Sequence, residues 1–338
     1  MDCNSKFDRS RLGTFLLALI VLSVLPMIVV RPQTKTKTSE AVPNRGPEVF
    51  EVGQAQHLKA LREKPTELKV VSYNIRWRGG AQLRELIKLL RTDSPLSGAS
   101  LIGLQEVDRK KKRTQNENTA KAIADELGMY YAWTSPPKVK PESEEETGVA
   151  IFSPYPLMDI EPMVLPHEGP GGRHRVAMGV TVTIGGNSLR FYSVHAETRI
   201  SVDHKAEQLQ AVMRDAEKYS SKPVIILGDF NTWEGSAVKK THKLFEPAGF
   251  QTPFDDQPTF FRKLLFFPLE LKLDWIWVRN AETVKFGVER NVSLSDHWPL
   301  WAVVKLGRGP NKTGQKYTEF QPCRCTQSTP DAVSTETR

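Results

Sequence analysis

Apolar runs of strand length alternate with stretches of helical spacing along the middle of the chain, the pattern of an α/β protein. Leu68–Tyr73 and Leu101–Leu104 read as buried strands. Further strands are predicted at Thr147–Phe152, Val176–Ile184, Leu189–His195, Pro223–Leu227, Leu271–Val278 and Pro299–Leu306. Leu83, Leu86, Ile87 and Leu90 line one helical face; Ala120, Ile123, Ala124 and Leu127 repeat that spacing, with Gly128 as a stop signal. A third helix fits Ser201–Tyr219, where Ala206, Leu209, Met213 and Ala216 share a face beneath a Ser201 cap. Many strands and few helices favour a large α/β sandwich. There is no internal repeat, and the acidic run Glu142–Glu146 reads as a solvated loop.

The ends follow another pattern. Residues 1–11 form a short N-terminal tail, and residues 12–30 are a stretch of 19 without a charge, bounded by Lys6, Arg9 and Arg11 before it and Arg31, Lys35 and Lys37 after it. That length spans ~30 Å of hydrocarbon as a helix. A cleaved signal peptide has a shorter apolar core of ~7–15 residues and a small-x-small cleavage site, which Met27-Ile28-Val29-Val30-Arg31-Pro32 lacks. The reading is therefore a single-pass anchor, with a secreted protein as the alternative. The very short N-terminal flank favours a catalytic domain outside the cytosol, although the flanking basic residues are nearly balanced. Residues 31–66 read as a Pro/Thr/Lys/Gln-rich linker, residues 67–306 as the folded domain and residues 307–338 as a flexible tail.

Charge changes the picture once it is divided along the chain. The whole carries +8, but residues 67–306 hold 32 basic and 30 acidic side chains, so the basic excess lies mostly in the ends. This weakens an argument for nucleic-acid binding from charge alone. Cys3, Cys323 and Cys325 all lie outside the domain, which excludes a disulfide framework or a cysteine-ligated zinc site as its support.

Polar residues with catalytic potential stand at the ends of the apolar strands, where a sheet holds them rigidly beside solvent. Asn74 ends one run, and Gln105-Glu106 ends another with a carboxylate whose burial demands a cation or a donor. His195 ends a third. Gly228-Asp229-Phe230-Asn231 delivers a carboxylate and an amide two residues apart, and Asp274 with Ser295-Asp296-His297 supplies two carboxylates and an imidazole on neighbouring segments. A carboxylate accepting from a ring N–H orients a histidine and raises its pKa.

The ordered set Asn74, Gln105-Glu106, Gly148-Val149-Ala150-Ile151-Phe152-Ser153, His195, Gly228-Asp229-Phe230-Asn231, Asp274 and Ser295-Asp296-His297 resembles the endonuclease/exonuclease/phosphatase superfamily over residues 67–306. Each motif is weak alone, but the complete set in order is specific. The resemblance implies a four-layer α/β sandwich, two packed mixed β-sheets flanked by helices, with the active site at one edge. It also implies magnesium-dependent cleavage of a phosphate ester, with manganese as the alternative ion. Glu106 would be the principal metal ligand, with Asn74 and Asp296 on the metal side. Asp229 and Asn231 would position the attacking water and the phosphoryl oxygens, and Asp274 would orient His297. His195 matches the second histidine of deoxyribonuclease-like and sphingomyelinase-like members, rather than the tyrosine of abasic-site repair enzymes. Arg76 departs from the repair nucleases, which carry an acidic residue there.

Magnesium suits such a site independently of the resemblance, because it accepts hard oxygen ligands, often one or two carboxylates plus water. Either a histidine or Asp229 must take the proton of the attacking water, and the sequence leaves both open. Arg175 is the leading candidate for a substrate phosphate contact; Lys110-Lys111-Lys112-Arg113 reads first as a solvated loop. The reading is a membrane-tethered phosphodiesterase or phosphatase, with nucleic acid slightly ahead of a phospholipid, sphingomyelin or phosphoinositide headgroup as substrate. A non-catalytic binding protein using the same cleft is the third reading, and no obligate protein partner is evident. Phe260–Leu269, which mixes apolar and basic residues, reads either as core or as a segment dipping into a membrane.

Overall fold

The computed structural model describes residues 49–306, apart from 62–64, 93, 140–145 and 266. The predicted span at 12–30 and the tail from 307 lie outside the described residues, and among those described no helix is long and apolar enough to cross a membrane.

Two sheets pack face to face. The larger contains β1 (Val49–Gln54), β2 (Glu67–Asn74), β3 (Leu101–Arg109), β4 (Tyr130–Ser135), β5 (Glu146–Ser153), β13 (Ala281–Val288) and β14 (Leu300–Leu306), in the order β1-β4-β5-β3-β2-β14-β13. The smaller contains β6 (Leu157–Val164), β7 (Val176–Ile184), β8 (Asn187–His195), β9 (Val224–Asp229) and β12 (Asp274–Arg279), in the order β12-β9-β8-β7-β6. Strands β10 (Phe260–Leu264) and β11 (Phe267–Leu271) form a separate hairpin. Each large sheet has one parallel pair, β2 with β3 and β8 with β9, among antiparallel neighbours.

Helices cover both outer faces, which gives the four-layer sandwich implied by the sequence. Alternation along each strand explains the layers: Val70, Ile225, Leu227 and Ile276 point between the sheets, while Val71, Ile226, Trp275 and Trp277 point outward. Helices α1 (Gly80–Arg91) and α2 (Thr119–Leu127) bury Leu83, Leu86, Ile87, Ala120 and Ile123 against the larger sheet. Helices α3 (Val202–Glu217) and α4 (Gly235–Phe245) bury Leu209, Val212, Val238 and Phe245 against the smaller one. Both faces of the central strands are therefore dry, which is why they appear in the sequence as unbroken apolar runs. The caps form as read, with Gly128 left-handed at φ 67° after α2 and the Ser201 hydroxyl accepting from His204 N at 3.1 Å before α3.

Three readings change. Strand β1 falls inside the stretch assigned to the linker and pairs along its length with β4, so the domain reaches back to Val49. Composition misled because the strand is inverted: Phe50 and Val52 are exposed, while Glu51 turns inward to accept bonds from Arg109, Asn118 and Tyr131. The strand predicted over Leu271–Val278 is two, broken at Lys272-Leu273 so that Asp274 begins β12 in register with Asp229. Glu146, read as part of a solvated loop, opens β5 and is buried against Arg109 at 2.7 Å.

Candidate active site

The two parallel strand pairs end at the same edge of the sandwich, and that edge collects the polar residues. In the larger sheet Asn74 ends β2 in register with Gln105. The next residue, Glu106, is left out of the ladder: a bulge separates Gln105 from Val107, and Glu106 takes the left-handed φ of 58°. In the smaller sheet His195 ends β8 in register with Asp229, which ends β9 in register with Asp274. Gly228 is required there. Its φ is 138°, and a Cβ would lie 2.0 Å from the Val194 carbonyl oxygen of the adjoining strand.

Asn74 joins the two sheets at this edge. Its side-chain Nδ2 donates to Asp229 Oδ2 at 3.0 Å and to Glu106 Oε1 at 3.3 Å, while its Oδ1 accepts from Arg76 N at 3.1 Å. Asp229 Oδ1 accepts from the Asn231 backbone N at 2.9 Å, and Asn231, left-handed at φ 53°, donates from Nδ2 to Ala196 O at 2.9 Å. Burial raises the Asp229 pKa well above the carboxylate range, against the opposing charge of His297. Asp274 Oδ2 meets His297 Nδ1 at 2.9 Å and also accepts from Thr259 Oγ1 at 2.7 Å. His297 Nε2 lies 3.8 Å from Asp229 Oδ2. Burial disfavours the charged imidazole, but the carboxylates of Asp274 and Asp229 prevail and push its pKa up to about 10.

His195 is arranged in the opposite sense. Its Nε2 is 3.6 Å from Asp229 Oδ2 and 3.9 Å from Glu106 Oε1, but burial, reinforced by Arg175, His297 and Arg173, pulls its pKa well below the usual histidine value. Arg175 Nη1 stands 3.4 Å from His195 Nδ1. An arginine can only donate, so Nδ1 accepts and the ring proton of neutral His195 sits on Nε2, facing the carboxylates.

The cleft encloses about 300 Å³ and is lined by Glu106, His195, Asp229, Asn231, Asp296 and His297, with Trp77, Trp233 and Phe260 at its rim. Two kinds of carboxylate group compete for a cation. Asp229, Asp274 and His297 bring ligand atoms within 4.8 Å of one another. Two of those atoms are already joined by the Asp274–His297 hydrogen bond, however, and an imidazole protonated up to about pH 10 offers no lone pair. Glu106 fits better. Its Oε2 is buried and has no hydrogen-bond partner among the described residues; the same is true of Asp274 Oδ1, but Glu106 lines the cleft, whereas Asp274 is committed through its other oxygen to His297 and Thr259. A hard divalent cation on Glu106, beside Asn74, satisfies Oε2.

With this geometry in hand, the comparisons with known proteins are specific. The model of the endonuclease/exonuclease/phosphatase family matches residues 71–297. The chain belongs to this family. Its members are metal-dependent phosphoric ester hydrolases. An uncharacterized Escherichia coli K12 protein, YbhP, is 28% identical over 170 residues, 48% of this chain and 64% of that protein, so the chain spans just under two thirds of that relative. Among solved structures, a family protein from Leptotrichia buccalis superposes with a TM-score of 0.56 at 16% identity, covering 71% of this chain and all of its own. A Danio rerio TDP2 complexed with single-strand DNA product gives 0.55 at 16%, covering 71% and 99%. A Bacteroides thetaiotaomicron mannosyl-6-phosphatase gives 0.51 at 16%, covering 70% and 99%. These structures establish the fold.

Of the residues read from the sequence, Asn74, Glu106, His195, Asp229, Asn231, Asp274 and His297 converge on the family's cleft edge. Two are engaged differently. Asp296, read on the metal side, is paired with Arg76 at 2.9 Å. Arg175, read as a phosphate contact, is held by Glu197 at 2.9 Å and turned toward His195. Three supporting residues escaped the sequence reading. Thr259 accepts from the Leu273 and Asp274 backbone N–H groups and donates to Asp274; nothing in Gln257-Pro258-Thr259 marks it. Glu197 anchors Arg175. Lys205 is buried and donates to the Asn231 carbonyl at 2.8 Å. It lies four residues before Leu209 on the apolar face of α3, a position at which a lysine was itself a signal.

Proposed function

We propose that the domain hydrolyses a phosphodiester with one divalent cation, magnesium or manganese, held by Glu106 with help from Asn74. The observation that carries this reading is the unpartnered Glu106 oxygen at the junction of the two sheets. When bound there, the cation supplies positive charge to the phosphoryl group. The protein's own residues divide the remaining work. His297 holds a proton on each ring nitrogen, so its Nε2–H stabilises the charge that develops on phosphoryl oxygens. His195, neutral with its proton on Nε2, donates from the other side. Both protonation states favour Asp229 over the histidines as acceptor of the attacking water's proton. Asp229 is held rigidly by Asn74 and Asn231 N, and its raised pKa brings it toward the range in which a general base works best. Asn231 orients the substrate beside it.

The domain acts as a membrane-tethered enzyme outside the cytosol in this reading, supported by the uncharged stretch 12–30. The bond cleaved belongs to a nucleic acid or to a phospholipid headgroup. The family includes a neighbour bound to single-strand DNA product, which supports the first, and the exposed apolar hairpin beside the cleft supports the second. The deciding experiment incubates the purified protein with magnesium and single-stranded DNA, RNA, sphingomyelin, phosphoinositide and bis(p-nitrophenyl) phosphate. Turnover of at least one that disappears with chelator and in Glu106→Gln is expected; activity that persists in chelator refutes the metal assignment.

A further inference from the structure

Exposed apolar side chains gather around the mouth of the cleft. Trp77 and Trp233, 38% and 49% exposed, form part of its rim. The β10–β11 hairpin continues its wall outward. Phe260 pairs with Leu271 and Arg262 with Leu269, and these alternate pairs share one face; Phe260 and Leu271 at its inner end line the cleft. The base of the hairpin is anchored: Phe261 N donates to Asp296 O at 2.8 Å, and Phe260 bridges to His297. The outer end is bare. Leu265 is 84% exposed and Phe267 61%, while Arg262 and Lys263 are exposed between them and the cleft. Four steps of ~3.3 Å place that tip ~13 Å beyond Phe260 along the strand, enough for the ~5–10 Å depth at which interfacial segments bury apolar side chains.

We propose that this face docks on an anionic lipid bilayer, with the hairpin tip in the headgroup–acyl boundary, Arg262 and Lys263 against lipid phosphates, and Trp77 and Trp233 at the interface. Two features choose a bilayer as the occupant. The basic pair sits immediately inside an aliphatic and aromatic tip, the order in which a segment entering an anionic membrane meets headgroup and acyl chain; Glu270 is the hairpin's single acid. The chain also carries its own uncharged stretch at 12–30. A single-stranded nucleic acid calls instead for a basic groove that tracks the backbone beside stacking aromatic rings, and the aliphatic Leu265, 84% exposed at the tip, offers it neither charge nor a ring. Docking places the cleft over a phosphodiester in the headgroup plane, and that consequence rests on the phosphodiesterase reading above.

The test uses full-length protein reconstituted in phosphatidylcholine vesicles, in vesicles with about 30 mol% phosphatidylserine, and in neutral detergent micelles. Hydrogen–deuterium exchange is read across residues 258–272. Backbone exchange in the hairpin is expected to slow on the anionic vesicles, and the protection to be lost in Leu265→Ser/Phe267→Ser and reduced in Arg262→Gln/Lys263→Gln. Both double variants keep the wild-type rate on soluble bis(p-nitrophenyl) phosphate. Equal exchange on anionic vesicles and in micelles overturns the proposal, as does protection by a single-stranded oligonucleotide without protection by vesicles. A wild-type protein inert toward the soluble ester overturns the phosphodiesterase reading and leaves the exchange result to decide docking.

Discussion

Asp274→Asn separates charge from shape at the His297 pair. The carboxylate meets Nδ1 at 2.9 Å in a buried site, and the imidazole pKa stands near 10 against 6.5 for a free histidine. At ~1.4 kcal/mol per unit, that shift is a preference for the protonated form on the order of 5 kcal/mol. An asparagine keeps the packing and the Thr259 contact but removes the charge, so the pKa falls to the ordinary value or below. At pH 8 an imidazole of ordinary pKa is ~3% protonated, which alone costs ~30-fold, and loss of ring orientation carries the total to ~10²–10⁴. The assay is kcat/KM on a soluble phosphodiester from pH 6 to 9, with magnesium in excess. The deficit of the variant should narrow by ~20-fold on going from pH 8 to pH 6, as the ring regains its proton. Asp274→Asn/His297→Ala should be little worse than His297→Ala alone, because the pair acts as a unit. A deficit that is constant with pH, together with strictly additive losses, would refute the charge argument.

Glu106→Gln should abolish activity while the protein stays folded, and calorimetry should show that the stabilisation produced by magnesium in wild type is gone; an unchanged metal-induced shift would count against Glu106 as the ligand. In chelator, the raised pKa of His297 means that the folded state binds an extra proton: the stability it contributes is complete below pH 6.5 and is lost as pH rises through about 10. Denaturant titrations over that window should therefore show wild type losing up to ~1.4 kcal/mol per pH unit relative to His297→Gln, and parallel profiles would contradict the shift. Gly228→Ala should destabilise by about 2–6 kcal/mol, from ~1–3 of backbone strain and ~1–3 of overpacking against the Val194 carbonyl, measured by urea unfolding. Full-length protein should sediment with membranes and be released by detergent rather than by high salt, with an intact N-terminus on sequencing; a soluble product starting after Val30 would show secretion instead.

Much of the candidate site was legible because its polar residues interrupt or end apolar strands. A dry strand cannot carry a polar side chain through its middle without a partner, so Asn74, His195 and Asp229 mark the ends of β2, β8 and β9, and Glu106 marks the bulge in β3, by contrast with what precedes them. Strands with weaker contrast went unread: β1 turns a carboxylate inward, and β6 mixes half-buried and exposed residues along an edge without a buried face. The hairpin could be read either as core or as a surface element, since the same apolar residues suit both.

The sequence by itself determined the central strands and the identity of the polar set, because periodicity and burial are properties of neighbours along the chain, while the four layers followed from the family resemblance. Only the tertiary structure decided which cleft-lining carboxylate keeps an unpartnered oxygen, which histidine favours its charged form and which arginines are already paired. Glu106 faces the cleft because a bulge ejects it from the ladder. Burial pulls the pKa of both rings down; Arg175 reinforces it at His195, while the carboxylates of Asp274 and Asp229 overcome it at His297. Arg76 and Arg175 are already matched by Asp296 and Glu197, from distant parts of the chain. Electrostatic roles depend on distances of a few ångströms between residues far apart in sequence, and folding alone sets those distances.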